Sequence, residues 1–467
     1  MHDVVIRNGL VASGSGPIRC DVAVANGRIV ALGENIPDGE RVIDATGLLV
    51  LPGGVDSHCH IEEPAADGSR SEESFISAST TAFAGGTTTV VSFIPQWKGH
   101  GVWDRFVDYR ARAATGMLDH AFHQIITDPT DAVMEEEVPR IVAEGVRSLK
   151  VFLTYDPLHL TDAQYIRVLE TARKLGCLVT VHCENYEAIQ WRTQRLLAAG
   201  RTAPQYHAWS RPPVVEREAT QRAIALAELV DQPIQVFHVS CEEAAAEIAA
   251  AQARGLKVWG ETCPQYVTLT AAHMARPDGA LFMCSPPPRG GDEHAKIWGM
   301  IRRGTLDIIT SDHCAFSTAA KVGDNFATIP NGIPGLAARL PLIFSEGVSK
   351  GRISLEQFCA LVATNPAKLM GLYPRKGVIA PGSDADIVLW DPTKQVRLTN
   401  ALMQHAVDNT PYEGMEVTGW PVATLRRGEV VMQDGVVLAQ PGSGQYLARG
   451  AYDLVRPRGV TAEGFGA

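Results

Sequence analysis

The string GGVDSHCH at residues 53–60 sets His58 and His60 two positions apart behind an apolar approach. On a strand, residues i and i+2 face the same way, so both imidazoles can reach one metal ion while Cys59 points elsewhere. The placement recurs along the chain. His182 follows the apolar run LVTV, His238 ends the run IQVF, and Asp312 follows LDIIT and Ser311. Lys150 lies inside the apolar run 149–153. A single buried histidine is usually a hydrogen-bonded core residue. Four histidines, a lysine and an aspartate, each at the C-terminal end of a buried strand, form a metal-binding set instead.

Lys150 adds a further chemical expectation. Burial among apolar neighbours penalises the ammonium and favours the neutral amine. A neutral amine beside two metal ions can add carbon dioxide and become a carbamate, whose two oxygens can bridge the ions. The structural alternative is a lysine that snorkels its charge to solvent.

The elements that must carry these residues follow from periodicity. Residues 4–7, 21–25 and 28–32 are β-rich, and Asn26-Gly27 between the last two is a hairpin signal. From about Gly377 the pattern returns, with strand-like runs at 385–391, 422–426 and 429–438 and turns at Arg427-Gly428 and Asp434-Gly435. Neither end is long enough to be stable alone, so one small β-sandwich is expected from both. Between them, strands alternate with helices. Thr161 with Gln164, Ser240 with Glu243 and Ser354 with Gln357 are capping-box signatures, and Gly176 suits a helix C-terminus. Such alternation gives a parallel sheet covered by helices. The expected fold is therefore α/β: a (β/α)8 TIM barrel with a β-sandwich formed by both chain ends. The expected boundaries are 1–50 and 377–440 for the sandwich, 51–376 for the barrel, and 441–467 for a tail available for oligomer contacts.

Composition narrows the function. The 467 residues carry a formal net charge of −10 without any Lys/Arg run, which argues against a nucleic-acid partner. No apolar stretch approaches the roughly 18 residues that would span a bilayer, so no membrane role is expected. No leader pattern opens the chain. The nine cysteines are odd in number and form no Cys-x-x-Cys pair, which suits free thiols and a cytoplasmic location.

Several longer strings carry a resemblance: GGVDSHCH, SLKVFLTY (148–155), TVHCEN (180–185), SRPPVVEREAT (210–220), FHVS (237–240), GETCPQY (260–266), CSPPPR (284–289), TSDHCAF (310–316) and IPNGIPG (329–335). In this order the chain resembles the hydantoinase and dihydropyrimidinase group of cyclic amidohydrolases, nearest to bacterial phenylhydantoinase-like proteins. The resemblance implies a small-molecule cyclic amide as substrate and a homotetramer. It implies two Zn2+ ions, with Mn2+ or Co2+ as substitutes. His58, His60 and Asp312 would hold one ion and His182 and His238 the other, with Lys150 as the bridging N6-carboxylysine. A hydroxide between the ions would attack, Asp312 would move the proton, and Tyr155 would donate to the oxyanion. Backbone groups around Ser285 and Asn331 would grip the ring amide.

Each assignment has a plainer counterpart. Tyr155 is otherwise a rim aromatic, Ser285 a turn residue before three prolines, and Asn331-Gly332 a turn pair. His313 is expected to orient Asp312, and Cys59, Cys183 and Cys314 to pack strands. The segment IEEPAADGSRSEESF (61–75) departs from the group's apolar loop. Glu62 and Glu63 there suggest either a solvated loop or a pocket for a polar or basic ring substituent. The string His60-Ile-Glu-Glu-Pro64 also resembles allantoinases and dihydroorotases, so these and cyclic imide hydrolases stay open, as does a non-enzymatic scaffold of the same fold. A one-metal deaminase would not need the lysine. Arg217 has no account in the sequence.

Overall fold

The computed structural model describes residues 2–13, 16–64, 71–156 and 158–450. Eight parallel strands form its centre in chain order: Gly54–Cys59, Thr87–Ile94, Asp119–Ile125, Ser148–Phe152, Leu178–His182, Ile234–Val236, Val258–Thr262 and Leu306–Ile309. Most of these residues are buried, because the barrel interior lies on one side and the helices on the other. First and eighth strands meet at the seam. Ser311 N–H donates to Asp56 Oδ1 at 3.2 Å, and His60 N–H donates to the His313 carbonyl at 2.7 Å. The fully buried Arg339 spans the same seam, donating to the carbonyls of Val55 at 3.2 Å and Ile309 at 3.0 Å. The arrangement is a nearly closed (β/α)8 barrel.

Two sheets flank it. Val4–Arg7, Asp21–Ala25, Arg28–Gly33 and Arg41–Asp44 form one. The other has seven strands, and both chain ends build it. Leu49–Pro52 joins the two contributions, paired with Leu10–Ser13 in parallel and with the central strand Ile387–Arg397 in antiparallel. Val4, Ile6, Val22, Val24, Val50, Ile387 and Leu425 fill the space between the sheets. The turn expected at Asn26-Gly27 has both residues at positive φ, 52° and 73°, as a two-residue hairpin requires. The strand-like run 429–438 folds back on itself at the turn expected at Asp434-Gly435. Glu429–Gln433 and Val436–Val437 pair across Asp434-Gly435, whose φ values are 49° and 81°. Of the expected tail, 451–467 lie outside the described residues; its first part pairs with the barrel, where Leu447 N–H donates to the His120 carbonyl at 2.7 Å.

Two expected helix starts hold. Thr161 caps Asp162–Leu175 in a box with Gln164, and that helix ends at Gly176 with φ 65°. Ser354 and Gln357 cap Leu355–Cys359. The third does not hold. The helix after the sixth strand runs Glu242–Ala253, with Cys241 at its cap position and no side-chain capping bond. Ser240 is drawn to a buried ion pair instead: its hydroxyl donates to Glu216 and accepts from Arg289 Nε at 2.9 Å. A distant carboxylate has outcompeted the local cap.

Candidate active site

The C-terminal ends of the barrel strands open into a cavity of about 460 Å3. His58, His60, Lys150, Tyr155, His182, His238, Ser285, Asp312 and Asn331 all line it, so the fold brings together the nine residues expected to hold metal or substrate. Donor atoms of His58, His60 and Asp312 lie within 4.8 Å of one another. The Asp312 carboxylate stands 3.0 Å from His58 Nε2 and 3.7 Å from His60 Nε2. Burial alone would raise the Asp312 pKa, but the facing imidazoles of His58, His60 and His238 hold it well below the ordinary carboxylate range. His182 and His238 form a second pair, with ring centroids 4.3 Å apart.

Lys150 sits between the two groups. It comes from the fourth strand, is fully buried, and its Nζ has no hydrogen-bond partner. Aromatic faces surround it, with the Phe237 centroid 4.2 Å and the Phe152 centroid 4.6 Å away. Burial in this setting lowers its pKa to about 7, so the snorkelling alternative fails. His238 Nδ1 is likewise buried without a partner. Unsatisfied buried polar atoms are costly. Here they converge on one space.

Carboxylates behind the histidines fix the rings. His58 Nδ1 donates to Glu261 at 2.6 Å, His60 Nδ1 to Glu63 at 2.7 Å, and His182 Nε2 to Glu184 at 2.8 Å. Such partners set which ring nitrogen remains for a metal. Glu184 also accepts from Arg211 at 2.7 Å, and the Arg211 guanidinium lies 5.3 Å from the centre of the Tyr155 ring. Glu184, Glu261 and Arg211 were not picked out from sequence. The available signal was an acid just beyond a strand-end histidine (Glu184) or at a strand end itself (Glu261).

The acidic pair on the first loop is otherwise engaged than its position suggests. Glu62 Oε2 accepts from the backbone N–H of Phe75, the first residue of helix Phe75–Ala84, at 3.0 Å. Glu63 is tied to His60. Glu62 is not among the residues that line the cavity, whereas Glu63 lines it beside His60. The next loop residues, 65–70, lie outside the described residues. Arg217 pairs with Glu243 on the adjacent helix at 3.0 Å. His313 accepts at Nδ1 from the N–H groups of Gly335 and Leu336, which anchors the turn carrying Asp312. The nine cysteines are all free thiols.

Three cavity residues adopt a left-handed backbone conformation: Tyr155 at φ 68°, His238 at φ 40° and Asp312 at φ 48°. Non-glycine residues rarely do so outside turns and functional sites. The conformation turns each side chain from the strand direction into the cavity mouth. Burial drives the Tyr155 phenol upward from its usual pKa, so it stays a hydrogen-bond donor at neutral pH. Among the described residues, no helix is long and apolar enough to cross a membrane.

Known proteins resemble this chain in sequence and fold. A D-hydantoinase of Ralstonia pickettii is 41% identical over 457 residues, spanning 96% of this chain and 99% of that protein. The crystal structure of dihydropyrimidinase from Brevibacillus agri matches with a TM-score of 0.93 at 40% identity, over 96% of this chain and 99% of that one. L-hydantoinase (dihydropyrimidinase) from Arthrobacter aurescens matches with a TM-score of 0.89 at 29% identity, over 96% and 100%. The amidohydrolase family profile matches residues 49–431, from strand Leu49–Pro52 of the seven-stranded sheet through the whole barrel. On sequence, fold and family match together, the chain belongs to the amidohydrolase family.

Proposed function

We propose that the protein is a hydrolase that opens the ring amide of hydantoins and dihydropyrimidines to give N-carbamoyl amino acids. The observation that carries this reading is the buried, unpartnered amine of Lys150, sealed among four histidines and Asp312 at the barrel mouth. A nitrogen-rich set with one carboxylate suits zinc. His58, His60 and Asp312 would hold one ion, and His182 and His238 a second. Carbamylated Lys150 would supply an oxygen to each, which answers the unsatisfied Nζ with a chemical group rather than a water. Bound there, the ions would lower the pKa of a water towards 7 and polarise the ring carbonyl.

The chain's own groups do the rest. Asp312 takes the proton of the attacking water and delivers it to the ring nitrogen as the C–N bond breaks. Tyr155 donates to the carbonyl oxygen as it gains charge. Backbone groups at Ser285 and Asn331 hold the planar amide in register for attack. We read the division of the chain at residues 50, 376 and 440, a homotetrameric assembly and a cytoplasmic setting as parts of the same proposal.

The test is to incubate zinc-replete protein, prepared with bicarbonate, with dihydrouracil, phenylhydantoin, allantoin, dihydroorotate and succinimide, and to follow ring opening by mass spectrometry. Opening of dihydrouracil or phenylhydantoin, lost in Lys150→Ala, supports the reading. Opening of only the other three leaves the metal site standing and overturns the substrate class.

A further inference from the structure

Lys321 is buried to 3% exposure on the segment that follows Asp312, yet no carboxylate pairs with it among the described residues. Burying an ammonium without an anion is expensive, and a methionine of similar length would fill the space more cheaply. The charge is instead spent on two backbone carbonyls. Lys321 Nζ donates to Met283 O at 2.8 Å and to Pro330 O at 2.9 Å. These carbonyls belong to two different cavity-lining segments, one leading to Ser285 and the other to Asn331.

The two segments also touch directly. Gly332 N–H donates to the same Met283 oxygen at 3.0 Å. Gly332 has φ 149°, and a Cβ there would stand 2.7 Å from the Cys314 carbonyl, so only glycine allows the approach. From the other side, His207 Nε2 donates to the Cys284 carbonyl at 2.9 Å. The Pro330 carbonyl is one end of the peptide unit whose N–H belongs to Asn331. A cation on that oxygen polarises the unit and strengthens the N–H as a donor. The Asn331 side-chain oxygen, buried and without a partner, lies on the same edge of the cavity.

We propose that Lys321 is a positioning residue for substrate: by tying Met283 O to Pro330 O it sets the spacing between the Ser285 and Asn331 edges that grip one planar ring amide. This role rests on the ring-opening activity proposed above. Lys321 is not among the residues that line the cavity, so its loss acts on binding and leaves the chemistry and the metal set in place.

The experiment compares wild type with Lys321→Met, which keeps the length and removes the charge. KM for the ring that wild type opens should rise about tenfold, with kcat within about threefold and zinc content unchanged. Amide hydrogen exchange should quicken in both 283–286 and 329–333. An unchanged KM overturns the proposal, as does a joint fall of kcat and zinc content at constant KM, which marks a general structural role. If wild type opens no ring, the proposed activity fails and the clamp is judged by exchange alone: faster exchange in both segments supports it, and unchanged exchange overturns it. Should Lys321→Met not fold, Lys321→Gln serves for the same readings.

Discussion

Glu261, on the seventh barrel strand, accepts a 2.6 Å hydrogen bond from Nδ1 of His58 on the first, with both side chains fully buried. The bond leaves Nε2 facing Asp312. The second Glu261 oxygen accepts from Gln235 at 2.8 Å, so the carboxylate is itself held in place. Replacing Glu261 by alanine frees the ring and leaves a buried gap. Zinc affinity should fall about 10–100-fold, a typical cost for losing a partner of a metal-bound histidine. Metal content after dialysis against graded chelator measures this, and full retention would refute the orienting role.

Tyr155→Phe removes one hydroxyl and little volume. If the phenol stabilises charge on the carbonyl oxygen, kcat should drop by about 10²–10³, the usual loss for one oxyanion donor, with KM nearly constant. A change confined to KM would make Tyr155 a wall of the cavity only.

Glu62 acts on stability rather than selectivity. Its carboxylate satisfies the first free N–H of helix Phe75–Ala84. Glu62→Leu should cost about 0.5–2 kcal/mol, comparable to losing a helix N-cap, and leave the ratio of activities on phenyl and aliphatic rings unaltered. A shift of that ratio towards phenyl rings would restore Glu62 to the pocket.

Asp307 predicts a pH effect. Its Oδ1 is buried without a partner, and burial raises its pKa to about 7. Unfolded, the group titrates near its ordinary value of 3.8, so the folded state holds the proton more tightly. The stability tied to that proton is complete below the unfolded value and is lost as pH rises through about 7. Asp307→Asn removes the loss. Its Tm should exceed wild type by about 1–3 °C at pH 8 and by less at pH 5. Equal shifts at both pH values would refute the titration.

The barrel and the cavity residues were legible because each left a local mark. A histidine directly after LVTV or IQVF signals a strand end, and the i, i+2 spacing of His58 and His60 fixes a shared face. What escaped were relations between distant positions. His58 and Glu261 are 203 residues apart, so nothing near either names the other. The helix expected to open at Ser240 failed for the same reason, since the competing Glu216 comes from another helix. Glu62 misled in the opposite sense. Its composition suggested a solvated or substrate-facing loop, while its role is decided by where the chain turns at φ 48°.

The pairing of Leu51 with Val388 bears on how the protein is made. On a ribosome adding about 5–20 residues per second, the strand Leu49–Pro52 waits roughly 20–70 s for its partner. Through that interval an apolar edge, Val50 and Leu51, lies open to other nascent chains. Yield in a heterologous host should therefore respond to growth temperature and chaperone supply more than to any feature of the finished fold. Truncation before residue 387 should give insoluble protein even though every residue of the barrel mouth has already been synthesised.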